Sequence, residues 1–308
     1  MSDPRTVVLA LGGNALIRPG EEGTVQEQTL RAREVARLLA GFPPATRLAV
    51  THGNGPQVGR ILLRSDLCQD EVPGLPLDVA VAASQGEIGT MLQQALRSEL
   101  QRPVVGLLSH VLVDLDDPAF QEPRKYVGRF YTQDEAKLRA MTLGWQVRED
   151  PGRGWRRVVP SPIPTEVLEL DAVAVLLDLG CLVLTCGGGG IPVAQTPAGL
   201  VSVEAVVDKD RASALLARRL NADQLIILTG VDEVMVDFTS PSPRPLRRVR
   251  AAELRAHLED GQFPPGSMGP KVEAVLEYLD QGHGSVLITS PECLVQALAG
   301  QRGTEVLP

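Results

Sequence analysis

Aromatic residues make up only 3% of the 308 residues, so any core must be built mainly from aliphatic side chains. Lysine is almost as scarce, with four (Lys125, Lys137, Lys209, Lys271) among 30 basic residues. Cys68, Cys181, Cys186 and Cys293 form no C-x-x-C pair, and the histidines complete no zinc spacing. Plain buried thiols and no protein-held metal are expected. No apolar run approaches the roughly 18–20 residues of a membrane span. The opening Met-Ser-Asp-Pro-Arg runs directly into the apolar Thr6–Leu11, too short and wrongly flanked for a secretory signal. Positive charge is in deficit, 30 Lys and Arg against 38 Asp and Glu, and a net −8 opposes non-specific nucleic-acid binding. A soluble, cytoplasmic protein is the expectation.

What is present is a steady alternation of short apolar runs with helix-length amphipathic segments. The strand candidates are Val7–Leu11, Leu48–Val50, Val104–Leu108, Leu182–Thr185, Leu225–Leu228 and Val286–Ile288. Between them lie helix candidates at Glu27–Leu39, Gln57–Asp66, Asp78–Leu100, Thr165–Leu177, Asp210–Leu220, Ala251–Leu258 and Val272–Asp280. This pattern predicts an α/β fold with a mainly parallel sheet between helices. From about Phe120 to Pro160 the rhythm breaks. That stretch carries both tryptophans, Trp145 and Trp155, with nine basic residues against five acidic ones. It is either a solvated insertion or a cationic flap over an anionic ligand. Arg244, Arg247, Arg248 and Arg250, on a proline-rich segment, suggest a solvated face.

Glycines collect where strands end: Gly12-Gly13-Asn14, Gly53-Asn54-Gly55 after His52, and Gly187 to Gly190. In a parallel sheet the strands' carboxyl ends share an edge, so the three loops can meet in one crevice. Glycine lets backbone N–H groups approach an anion without interference from Cβ. No G-x-x-x-x-G-K-[ST] is present, and Gly53-x-Gly55-x-x-x-Gly59 is one residue too long for a dinucleotide fingerprint. Protein-kinase signatures and a G-x-S-x-G elbow are also missing. His52 is most simply a structural loop residue.

The rare lysines stand at unusual places. In Asp208-Lys209-Asp210 the acids suit the start of a helix, whereas a cation there opposes the helix dipole. Lys209 is therefore a candidate for neutralising a phosphoryl group in transfer, with an adjacent Asp orienting it. Lys271 follows Gly266-Ser267-Met268-Gly269-Pro270 at another helix start, and Thr229-Gly230-Val231-Asp232 forms one more strand-end loop.

Taken in order along the chain, these motifs resemble the carbamate kinases of the amino-acid-kinase superfamily. The stretch Gly152-Arg153-Gly154-Trp155-Arg156, followed by Val158-Val159-Pro160-Ser161-Pro162, strengthens the likeness. The resemblance implies a single domain, an open αβα sandwich with a small protruding flap at about 118–161. It places carbamate and homodimer contacts in an N-terminal lobe (about 1–180) and the nucleotide in a C-terminal lobe (about 181–308). The implied reaction is reversible phosphoryl transfer between ATP and carbamate, giving ADP and carbamoyl phosphate with Mg2+, ATP-forming in arginine catabolism. Lys209 and Lys271 would straddle the phosphoryl group, Asp210 would organise them, and Lys125 would reach in from the flap. Gly12, Gly13, Asn14, Gly53, Asn54 and Gly55 would line the substrate site. Gly187, Gly188, Thr229, Gly230, Val231, Met268 and Lys271 would serve the nucleotide.

Two positions depart from the wider pattern. Ala10 stands where most of the superfamily has a lysine, an absence that carbamate kinases share, and Tyr126 and Arg129 stand in a flap region that usually contains proline. Two further readings use the same motifs: a superfamily phosphotransferase for an acylglutamate-like acceptor, and a non-catalytic nucleotide-binding regulatory paralogue. Retention of Lys209, Asp210 and Lys271 weighs against the second.

Overall fold

The computed structural model describes residues 4–18, 20–238, 240, 242–264 and 268–308. Gly266, Ser267 and the side chain of Asn14 lie outside the described residues. An eight-stranded sheet forms the centre, from β1 (Thr6–Leu11), β2 (Arg47–His52), β3 (Val104–Gly106), β4 (Leu182–Leu184), β5 (Gln224–Leu228), β6 (Arg248–Arg250), β7 (Ser285–Thr289) and β8 (Thr304–Leu307). Its order is β6-β8-β7-β5-β1-β2-β4-β3, parallel throughout except for the β7–β8 pair.

Both faces of the sheet are covered, which explains why its strands are apolar without alternation. In β1, Val7, Leu9 and Leu11 join one core with α1 (Val25–Leu39) and α3 (Leu77–Glu99), which follows α2 (Gly55–Leu67). Val8 and Ala10 join the opposite core with the helices that follow the flap's α4 (Gln133–Leu143) in the chain: α5 (Leu170–Asp178), α6 (Lys209–Arg219), α7 (Ala251–Glu259) and α8 (Met268–Leu279). Successive strand residues point to opposite faces, so one strand serves two cores. The near-absence of aromatics is met by Val, Leu, Ile and Ala, with Tyr278 the exception at full burial.

The structure corrects some expectations and bears out others. Thr165 does not start a helix: Pro164–Val167 is a strand, antiparallel to His110–Val113, and α5 begins only at Leu170. Glu169 makes the corner by accepting from the His110 backbone N–H (2.7 Å) and Nδ1 (2.8 Å). Leu182–Leu184 inserts between β2 and β3 in the central sheet. The arginine-rich segment is the solvated face expected: Arg244–Leu246 and Arg248–Arg250 are strands with the arginines exposed and Leu246 and Val249 buried. Only Cys181 and Cys186 of the thiols are buried, and Cys68 is exposed. Among the described residues no helix is long and apolar enough to cross a membrane.

The flap is a three-stranded antiparallel sheet, Lys125–Tyr131, Gly154–Val159 and Gln146–Asp150 in that order, with α4 across it. Gly152 and Gly154 have φ of 74° and 116°, which only glycine adopts without strain, so the Gly-Arg-Gly element is a hairpin turn. Arg129, Arg139, Arg153, Arg156 and Arg157 lie over rings of Tyr126, Phe130, Tyr131 and Trp145. Much of the flap's positive charge therefore stacks on the flap's own aromatics.

Candidate active site

The parallel strands deliver their carboxyl ends to one edge, where hydrogen bonds tie the loops together. Gly53 N donates to Leu11 O (3.0 Å) and Thr229 N to Thr289 O (2.9 Å). Glycine is required where loops touch: a Cβ on Gly12 would lie 2.7 Å from Leu228 O, and one on Gly53 would lie 3.0 Å from Gly13 N. Above this edge opens a cleft of about 420 Å³ bordered by Gly12, Gly13, Lys209, Thr229, Gly230 and Lys271. Residues from every segment of the resemblance except the flap and the other two glycine loops thus meet in one place.

Asp208 starts α6, its Oδ1 accepting from Asp210 N at 2.9 Å. Asp210, 3% exposed, then sits between two ammonium groups. Lys209 Nζ bonds its Oδ1, and Lys271 Nζ, from the first turn of α8, lies 2.5 Å from its Oδ2. Pro270 precedes Lys271 in that first turn, where its missing N–H costs nothing. The first turn of α6 is fixed to β2: Ser213 Oγ donates to Lys209 O (2.7 Å), and the Thr51 and Ser213 hydroxyls are 2.7 Å apart.

The electrostatics follow from burial against pairing. Burial pushes the Lys209 ammonium below its usual range, opposed by the attraction of Asp210. Burial would raise the Asp210 carboxyl, but Lys209 and Lys271 outweigh it and hold the group below the usual carboxylate range. The centre is therefore two cations on one anion, a net positive spot at the floor of a cleft.

Lys125 lies elsewhere than the other two lysines. Its Nζ is 2.8 Å from Asp208 Oδ2, and it does not border the cleft. Gly187 and Gly188 are not in the cleft either. The tetraglycine is a buried turn packed behind the site, where a Cβ on Gly187 would lie 2.5 Å from His52 Nε2 and one on Gly188 would enter the Asn54 amide. Their lack of side chains is what this close packing requires. Asn54 donates to Ser84 Oγ (2.8 Å), and Gly55 opens α2. Val231 and Met268 do not border the cleft. His52 is buried and held neutral, its basicity pushed down to about 4 by burial.

The cleft also contains groups that motif reading missed. Ser290 Oγ donates to Asp232 Oδ1 (2.6 Å) across the loops after β7 and β5. Arg31, flanked by Glu21 and Glu34 (both 2.6 Å), and the Arg18–Glu34 pair (3.0 Å) stand at the mouth. Ser290 was findable, because Val286–Ile288 reads as a parallel strand whose carboxyl end must reach this edge.

Residues 5–290 match the amino acid kinase family. A carbamate kinase of Pyrococcus furiosus is 44% identical, with 99% of both chains covered. The chain belongs to the carbamate kinases of that family. Among solved carbamate kinases, one from Giardia lamblia bound to AMP-PNP is 41% identical, with a TM-score of 0.90 over 100% of this chain and 99% of that one. A crystal structure from Aeropyrum pernix gives a TM-score of 0.91 at 42% identity, covering 98% and 99%. Within this carbamate kinase fold, Ala10 is fully buried against α6's side of the sheet, so no charge from that position serves the cleft. Tyr126 and Arg129 act within the flap, Tyr126 donating to Glu149 O (2.7 Å) and Arg129 stacking on Tyr131.

Proposed function

We propose that the protein catalyses reversible phosphoryl transfer between ATP and carbamate, giving ADP and carbamoyl phosphate. The observation that carries this reading is the Asp210 carboxylate shared by Lys209 and Lys271 at the floor of a glycine-walled cleft. Donor and acceptor are both anions, so the chemistry requires like charges to be brought into line. Lys209 and Lys271 supply fixed positive charge to the moving phosphoryl group, and Asp210 keeps the two ammonium groups from repelling each other. The Gly12-Gly13 and Thr229-Gly230 loops border the space a nucleotide would fill and let phosphate oxygens approach the backbone.

Mg2+ fits this site as the counter-ion of nucleotide phosphates, held mainly by substrate oxygens. Among the described residues no group of three or more His, Cys, Asp or Glu side chains is placed to cage an ion. Both oxygens of Asp210 already face ammonium groups. When bound, the ion would neutralise charge developing on the phosphates.

We further infer a cytoplasmic homodimer that runs toward ATP in arginine breakdown. The deciding experiment measures ATP formation from ADP, Mg2+ and carbamoyl phosphate, with acetyl phosphate and acetylglutamyl phosphate as competing donors. Turnover with carbamoyl phosphate alone is expected. Faster turnover with another donor would reassign the acceptor pocket, and nucleotide binding without turnover would mark a regulatory paralogue.

A further inference from the structure

The flap packs on α2, where Val127 and Val159 share a small apolar core with Val58 and Leu62, and it makes its polar contacts to the segment just ahead of α6. Arg157 Nη2 is 3.5 Å from Glu204 Oε2, Val206 N donates to Pro160 O (3.0 Å), and Lys125 Nζ donates to Asp208 Oδ2 (2.8 Å). The last contact differs from the others in what stands behind it. Asp208 Oδ1 is already committed to the backbone N–H of Asp210, so the carboxylate cannot turn to follow the flap. Two aspartates separated by a single residue thus hold three of the chain's four lysines: Asp210 holds Lys209 and Lys271, and Asp208 holds Lys125.

We infer that Asp208 is a positioning residue, which uses one oxygen to cap the catalytic helix and the other to dock the flap through Lys125. Closure of the flap is thereby registered to the same helix start that sets Lys209 and Asp210. Burial would raise the Asp208 carboxyl, but Lys125 beside it, with Lys209 and the capping N–H, holds it ionised below the usual range. The inference deepens the proposed phosphoryl transfer and rests on that reading for its kinetic consequence, while the docking itself does not.

The test compares Asp208→Asn, Lys125→Ala and the double variant. Asparagine still offers an oxygen to the helix cap, so cooperative melting close to wild type is expected. The two tryptophans both lie in the flap, so acrylamide quenching of their fluorescence, with hydrogen exchange over 125–131, reads docking without any substrate. Each single variant is expected to increase exchange there about tenfold, with the double no greater than either. The kcat/KM for carbamoyl phosphate is expected to fall about tenfold in Asp208→Asn, and that change to add nothing to Lys125→Ala. Unchanged flap protection in Asp208→Asn, or losses that multiply in the double variant, would overturn the inference. A wild-type enzyme inactive on every donor overturns the proposed reaction alone, because the docking readout remains.

Discussion

Lys271 reaches back 61 residues to place its Nζ 2.5 Å from Oδ2 of Asp210. The contact joins the first turns of α8 and α6, two helices packed side by side in one core. A cation at a helix N-terminus is unfavourable alone. It is stabilised here because the partner helix starts with a carboxylate whose other oxygen faces a second ammonium.

Removing that carboxylate should change both rate and pH profile. Asp210→Asn is expected to lower kcat by on the order of 10²–10³-fold, since two unshielded ammonium groups no longer keep their places. Burial already lowers the basicity of Lys209, and Asp210 is the main group opposing this. A charged lysine is needed for neutralisation, so activity falls as pH rises through its titration. The basic limb of the variant's profile should therefore move to lower pH. A basic limb that stays in place would show that Lys209 does not depend on Asp210 for its charge.

Gly189→Ala tests whether the tetraglycine is a packing element. Gly189 has φ of 93°, and an added Cβ would run into the carbonyl of Val207, next to Asp208. Backbone cannot yield as a flexible side chain does, so a stability loss of about 2 kcal/mol or more is expected, with catalysis impaired as Asp208 shifts. Thermal melting decides. A variant with wild-type melting and a raised KM for nucleotide would favour the ligand-binding reading of this loop over the packing one.

The central strands were legible because burial on both faces leaves no polar residue to blur their apolar runs, as in Val7–Leu11 and Leu225–Leu228. The charged centre was legible too, since lysines at two helix starts contradict the dipole rule unless something pairs with them. What stayed hidden depended on partners distant in sequence. Pro164–Val167 is a strand only because His110–Val113 lies beside it, and the place of Leu182–Leu184 between β2 and β3 is set by pairing with both. The packing of His52 against Gly187 and of Asn54 against Gly188 was likewise hidden, since those partners are distant in sequence. The flap's net charge left a solvated insertion and an anion-covering flap both open, because sequence does not show guanidinium groups stacking on neighbouring rings.

That stacking should hold the flap together. Tyr131 and Trp145 have ring centroids 6.0 Å apart, with Arg129 and Arg139 over Tyr131 and Arg157 over Trp145. Trp145→Ala is expected to destabilise the flap by about 1–2 kcal/mol. Hydrogen exchange should speed up in Gly154–Val159 while β1 and β5 stay protected. Equal acceleration in the central strands would mean that flap and sheet unfold as one unit.

His52 should set part of the acid sensitivity of folding. It is 3% exposed, its Nδ1 lies 3.1 Å from Gly53 O, and burial lowers its basicity from 6.5 to about 4. Between those values the unfolded chain binds a proton that the folded chain does not. The stability present above pH 6.5 is therefore lost as pH falls toward 4, with a slope of up to about 1.4 kcal/mol per pH unit. In His52→Gln the non-titrating side chain removes that proton difference. Denaturant unfolding at a series of pH values should show the variant's stability declining less steeply over this window than the wild type's. Parallel curves would mean that the imidazole takes up its proton inside the folded protein, against the desolvation that its burial imposes.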